Sequence, residues 1–421
     1  MLRLFGAAAA FASGVILARH LGPSALGIYG VVVAISAILA TVAQLGLPAL
    51  ATREAAVNVE TNDGERLASS VKWFHLATAA AGLFFGALLI VGALLSGRLG
   101  MSWLTALGGA LLVLPTALVT LSSATLRGLG RLLLGQMLDV AARPALFTVG
   151  LLALIWSAGA LSPASAMALN VAATAACAGV GLMWVLWSLR SISGALPGPP
   201  RTKEWAAAAT PLLGTTLLMQ VDAQYGVLLV GALSTAAMTG IVRIAYSAVG
   251  FVSLPNTVVA VVLSPTIARL HAAGDRAQLQ AILRRSALLL LVAQCAIFAA
   301  ALVLGKPFIL VVFGPAYAEA WMPLVILCFA QVVASAFGIS LAVLTMCGGE
   351  RALFRAYALS VAASVLAAIP LTMVWHGIGV AAAAVVGAVV NGVLCRASCK
   401  ALVNVDPSIF GHALRRRADV R

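Results

Sequence analysis

Apolar residues fall in long runs rather than in alternation. In a window of about twenty residues, the length a helix needs to cross hydrocarbon, the chain resolves into about twelve runs. The first six are Leu4–Ala18, Ile28–Leu50, Phe74–Leu95, Trp103–Leu121, Ala141–Ala160 and Ala164–Leu189. The second six are Leu212–Leu233, Val242–Val262, Ala287–Leu304, Met322–Leu344, Ala356–Val374 and Val380–Val403. They are rich in Leu, Ala and Val without the period-two pattern of membrane strands, so satisfying the backbone in lipid calls for helices. Pro115, Pro255 and Pro370 predict kinks within them.

Arg190 to Trp205, with Pro197, Gly198, Pro199 and Pro200, is the one Pro/Gly-rich linker and separates six runs from six. The expected organisation is an N-terminal six-helix lobe over 1–189, a cytoplasmic linker over 190–205, a C-terminal six-helix lobe over 206–403 and a basic tail over 404–421. Weak self-similarity supports it. Leu26-Gly27-Ile28 and Thr239-Gly240-Ile241 each open the second helix of a half, and Arg131-Leu132-Leu133 matches Arg351-Ala352-Leu353. Matching loops on one side of the membrane make the repeat a parallel one. In loop eight, Gly274-Asp275 followed by Leu279, Ile282 and Leu283 predicts a short interfacial helix.

With 62% hydrophobic and 9% charged residues and a mean hydropathy of +1.09, a soluble fold is excluded. The net charge of +14 would suggest nucleic acid in a soluble protein, but its placement points to a bilayer. Among the 26 Lys and Arg residues, Arg19, Arg98 and Lys306 fall on one side, Arg243 lies near the start of the eighth run, and the rest lie on the side of the N-terminus. The positive-inside rule puts both termini in the cytoplasm, with Arg415, Arg416 and Arg417 against anionic headgroups. Met1 to Ala18 resembles a secretory signal, yet it completes the first six runs and is read as a helix.

The six cysteines lie in or beside apolar runs without CxxC spacing and read as packing residues. The five histidines are scattered, with no HExxH, so no metal is expected; nor is any other cofactor. Gly377 to Ala382 matches GxGxxA but follows no soluble strand, and GxxxxGK[ST] is absent, which excludes an ATP motor in this chain. Charges within hydrocarbon are costly and need a reason. Asp222 lies mid-run with Met219 and Tyr225 on one helical face; it is either a transport residue or the partner of an arginine. Arg243 with Tyr246 three residues on, Arg19, and Arg53 with Glu54 could form a basic lining between the halves, where an arginine fork suits a diphosphate. Snorkelling is the alternative for Arg53 and Arg19. Arg127, Arg131, Asp139 and Arg143 in loop four read as surface and salt-bridge residues, with a substrate headgroup as the alternative. Gln44, Gln136, Gln294, Gln331 and Asn391 read as interhelical hydrogen-bonding groups.

Residues 18–29, ARHLGPSALGIY, resemble the "aRxLGpxxxGxY" opening of bacterial polysaccharide biosynthesis proteins, the oligosaccharide flippases of the multidrug/oligosaccharidyl-lipid/polysaccharide (MOP) superfamily. Further similarity lies in Gly240 to Pro265 around Arg243-Ile244-Ala245, in Ala272 to Asp275, in Val312 to Tyr317 and in the glycine turn Thr345 to Glu350. The resemblance implies an all-α, V-shaped bundle of two lobes in a bacterial inner membrane. Such a bundle flips a polyprenyl-diphosphate-linked oligosaccharide, an O-antigen or exopolysaccharide repeat unit, to the outer leaflet by alternating access. It assigns Arg19 and Arg243 to motif positions and Asp222 to an acid often found in the seventh helix. Twelve helices rather than fourteen argue against lipid II as substrate. The expected partners are this glycolipid, the phospholipid bilayer and other polysaccharide-assembly proteins, with no nucleic acid and no enzymatic activity. A multidrug or cation antiporter of the same fold, and a non-transporting scaffold in a glycan-assembly complex, are the alternatives.

Overall fold

The computed structural model describes residues 2–96, 103–159, 161–192, 198–199 and 201–411. Their regular structure is all helical, with no strand among them, and they form two compact units, Met1–Gly231 and Ala232–Arg421. Unit 1 holds α1 (Leu2–Ala43), α2 (Leu47–Glu60), α3 (Gly64–Ser96), α4 (Trp103–Gly128) and α5 (Leu132–Gln136). A π-helix (Met137–Ala142), α6 (Arg143–Ala158), α7 (Pro163–Ile192) and nearly all of α8 (Thr202–Leu233) complete it. Unit 2 holds α9 (Ala236–Val252), α10 (Leu254–Ala272), α11 (Arg276–Val312), a 3₁₀ turn (Pro315–Ala320), α12 (Trp321–Ala336), α13 (Ser340–Met346) and α14 (Glu350–Val403).

Ten stretches among the described residues are long and apolar enough to cross a membrane. Two of them are too long for one crossing. α1 has 42 residues and α14 has 54, so at about 1.5 Å per residue each is at least about twice the hydrocarbon thickness. Each is broken once, α1 at Gly22 (φ 74, ψ 171) and α14 at His376 (φ 48, ψ −121). Counting the halves separately gives twelve spans, six up to α7 and six from α8 onward, in an all-α polytopic membrane protein. Both breaks fall in the gaps between predicted runs. At the first, Gly22 supplies the positive φ and Pro23 restarts the helix where a missing N–H costs nothing.

The second and tenth runs differ from expectation. The second ends at Leu45 (φ 53) and Gly46 (φ 74), and α2 begins beyond them as a separate helix. A Cβ at Gly46 would collide with the Ala209 carbonyl and approach the Leu213 nitrogen to 2.6 Å, so glycine permits the contact with α8. The tenth run breaks at Gly338 (φ 65), where the Pro407 carbonyl takes the space of a side chain. Loop eight has no separate interfacial helix. Asp275 caps α11, accepting from the Gln278 N–H at 2.9 Å, and Leu279 and Leu283 are buried in a core with Ile267, Leu270, Val403 and Val405. Pro255 sits in the first turn of α10, where it is tolerated, while Pro370 lies inside α14 without breaking it.

In unit 1, α4 packs against α1, α2, α3 and α7. Its small residues Ala106, Gly108, Gly109 and Ala110 allow close approach, and Ser36 donates to the Gly109 carbonyl at 2.8 Å. In unit 2, α12 packs against α9, α11 and α14. Outward faces carry large apolar side chains such as Leu95, Trp156 and Val303, an arrangement suited to lipid. The units divide at the end of α8 because its first turns pack into unit 1. Trp205 lies 5.6 Å from Trp73 and 5.1 Å from Phe74 between ring centroids, over Leu47, Leu50 and Leu121. Residues 193–197 and 200 of the predicted linker, Arg98, and the tail arginines Arg415 to Arg417 lie outside the described residues.

His376 holds a backbone conformation that suits glycine, at a cost of about 1–3 kcal/mol. His376→Gly is expected to raise the thermal unfolding temperature in detergent, and His376→Val to lower it; circular dichroism on heating measures both.

Candidate substrate-binding site

Arg243 and Tyr246 lie one turn apart on α9, both half-buried, while Ile241, Val242, Ile244 and Ala245 beside them are buried. α9 starts at Thr235, whose hydroxyl accepts from the Met238 N–H at 3.2 Å, a capping arrangement that fixes where the helix and so Arg243 begin. Asp222 is half-buried on α8. It shares a face with buried Tyr225 and exposed Met219, so it sits where that helix passes from packed to open surface. Arg19 is exposed, three residues before the break at Gly22. The structure thus brings Arg243 together with Tyr246 in unit 2 and Asp222 together with Tyr225 in unit 1.

Two acid–base clusters escaped the sequence reading. Glu54, buried on α2, approaches Arg66 of α3 at 3.4 Å, whereas the neighbouring Arg53 is exposed at 3.8 Å. The inward partner of Glu54 is therefore Arg66, and Arg53 faces outward. The second cluster closes α14. Asn404 to Gly411, the first residues of the expected basic tail, pack within unit 2. Asp406 takes a two-pronged bond from Arg396 (3.1 and 2.8 Å), an ion pair from Lys400 at 3.0 Å and the Ser408 hydroxyl at 2.6 Å. Gln280 of α11 bonds both ways with the Asp406 backbone, at 2.6 and 2.7 Å, and the Ile409 N–H donates to the Ala336 carbonyl at 3.0 Å. The docked segment walls a cavity of about 370 Å³ lined by Gln280, Arg396, Lys400, Asn404, Asp406 and Phe410. In loop four the expected salt bridges are not formed: among the described residues Arg127, Asp139 and Arg143 make no ion pair. Arg131 instead stacks on Trp187, 4.4 Å from the ring centroid. No group of three potential metal ligands occurs among the described residues.

Residues 1–271 match the sequence profile of the family described as polysaccharide biosynthesis protein. The chain belongs to that family. No curated protein matches it in sequence. Among solved structures, a multidrug resistance MATE family transporter of the MOP superfamily in an inward-facing conformation is similar. Its TM-score is 0.74 at 14% identity, with 95% of this chain and 98% of that one covered. The lipid II flippase MurJ, inward closed, gives 0.74 at 14% identity, covering 95% of this chain and 86% of that one. A Vibrio cholerae MATE transporter, VcmN, gives 0.65 at 16% identity over 96% of each chain. The profile match shows the family, and the likeness to these transporter structures shows the fold that they share with this chain.

Burial acts to raise the Asp406 carboxyl, but its bonds from Arg396, Ser408 and Lys400 outweigh it and hold the group well below the usual carboxylate range. A depressed folded pKa contributes stability that is present above the unfolded value and lost only as pH falls through the folded one. The docked segment should therefore be insensitive to pH from 5 to 8. Asp406→Asn leaves Arg396 and Lys400 uncompensated and should cost about 3 kcal/mol, read as a lowered thermal midpoint in detergent.

Proposed function

We propose that the protein flips a polyprenyl-diphosphate-linked oligosaccharide, an O-antigen or exopolysaccharide repeat unit, from the cytoplasmic to the outer leaflet of a bacterial inner membrane. The observation that carries this reading is a half-buried arginine, Arg243, the one charged residue of α9, in a chain of the polysaccharide biosynthesis family. A sugar chain and a diphosphate cannot cross hydrocarbon unaided, so a flippase needs a hydrated cationic groove for the headgroup and an opening to lipid for the tail. In this reading Arg243 and Arg19 hold the diphosphate and Tyr246 lines the groove. The lobes are residues 1–189 and 206–403, both termini are cytoplasmic, and the two lobes exchange access to the two sides. An antiporter of cationic drugs would favour acids over arginines at the site, and the polarity of α9 supports the anionic substrate instead.

Arg243→Ala should reduce flipping in proteoliposomes by at least about tenfold, the worth of a charge-assisted hydrogen bond, while the protein still inserts. Arg243→Lys should restore part of the activity, because it keeps the charge and loses the planar fork. Undiminished flipping by Arg243→Ala would overturn the assignment.

With no nucleotide motif in the chain, we assign coupling to Asp222. A carboxyl between packed and open surface can exchange a proton, or bind Na⁺, as access alternates. Flipping measured under imposed proton, sodium and potential gradients should respond to one of them in the wild type and lose that response in Asp222→Asn. Identical responses of both proteins would remove Asp222 from the coupling role.

A further inference from the structure

At the end of unit 1 where α4 finishes and α6 starts, arginines collect around a single acid. The π-helix there follows from the sequence. Pro144, in the first turn of α6, has no N–H to donate to the Val140 carbonyl four residues back, and its ring would crowd that carbonyl. The chain takes a wider turn instead, with the Arg143 N–H bonding to the Leu138 carbonyl, a local i→i+5 arrangement that recurs at functional sites. α1, α4 and α7 all pack on this π-helix. The first turn of α1 lies directly on it, since a Cβ at Gly6 would run into the Val140 carbonyl, and Thr148 of α6 donates to the Ala9 carbonyl at 2.8 Å. α5 folds back on the end of α4, where Gly135 faces the Arg127 side chain.

This packing gathers charge. Arg127 is within electrostatic reach of Asp139 and Arg3, and Cys177 of α7 is within reach of both Arg143 and Asp139. Three arginines against one acid leave an excess of +2 within this group of four. Two other half-buried arginines have acids close by: Arg66 has Glu54, and Arg396 shares Asp406 with Lys400. Arg127 and Arg143 are half-buried, yet among the described residues neither makes an ion pair or a side-chain hydrogen bond. Half-burying a guanidinium without an acid is unfavourable, and an anionic ligand offsets it.

We propose that Arg3, Arg127 and Arg143 form a docking site for the diphosphate of a lipid-linked sugar, separate from Arg243; this rests on the flippase reading above. A diphosphate joining a prenyl chain to a sugar carries two ionised oxygens, matching the excess charge, and guanidinium forks suit its oxygens. Leu132 and Leu133 on neighbouring α5 are exposed and offer apolar surface to the tail. Asp139 weakens the site, so that a ligand held by three arginines can still leave.

The test uses the full-length protein in neutral-lipid nanodiscs and measures its affinity for geranylgeranyl diphosphate, with geranylgeraniol and inorganic pyrophosphate as further arms. Arg127→Gln with Arg143→Gln should weaken geranylgeranyl diphosphate binding by at least about tenfold. Asp139→Asn should strengthen it several-fold, and geranylgeraniol should respond to neither change. The opposite sign for Asp139→Asn keeps the test decisive if the double variant fails to insert. Unchanged affinity in the double variant, or weaker binding by Asp139→Asn, overturns the site while leaving the flippase reading standing. Inorganic pyrophosphate binding as tightly as the lipid overturns the assignment to a lipid headgroup. A wild-type protein that binds no diphosphate lipid overturns both readings.

Discussion

Hydrocarbon offers the backbone no hydrogen-bond partner, and most features of this chain follow from that single constraint. It makes the described residues helical and confines departures from the helix to places where another group can take over. Gly22, Gly46 and Gly338 each sit where the chain ends one helical ladder and starts another, and at the last two a neighbouring carbonyl occupies the space a side chain would need. The carbonyl of Val140, released by Pro144, lies against Gly6 of α1. Leu45 and His376 hold a positive φ with a side chain present, and the His376 ring is placed 3.4 Å from the Ser234 hydroxyl.

The same constraint orders the charges. An ion in or near the membrane needs a counter-ion, water or a ligand, and the protein uses different solutions at different places. Glu54 with Arg66 ties α2 to α3 in unit 1. Asp406, with Arg396, Lys400 and Gln280, ties α14 to α11 in unit 2. In both places an acid meets a cation from another part of its unit. Arg127 and Arg143 are half-buried without such an ion pair, which sets them apart from half-buried Arg66 and Arg396.

The spans were legible because a run of about twenty apolar residues can do little else, and the polar gaps around Gly22 and His376 marked the breaks inside α1 and α14. The split between α1 and α2 was not, since Leu45, Gly46 and Leu47 read as a continuation of the run; what interrupts it is an approach by α8, more than 160 residues on. Loop eight misled for a related reason. Leu279 and Leu283 have the spacing of a surface helix, but a core that includes Val403 covers them. Asp406 was hidden by its setting, because a rule that counts basic residues treats Arg396 and Lys400 as headgroup contacts and passes over the one acid that binds them both. Arg243 and Asp222 stood out for the opposite reason, as charges where composition alone leaves none expected.

The burial of Trp205 bears on how the polypeptide could be divided. A cut anywhere in 190–205 looks harmless on the sequence, yet it would place the tryptophan and the first turns of α8 on the second fragment while Trp73, Phe74 and Leu121 stay on the first. The fragments would then have to find one another to bury that indole, and either one made alone would expose an aromatic surface shaped for its missing counterpart. A cut beside Ala232, by contrast, would leave this aromatic cluster whole.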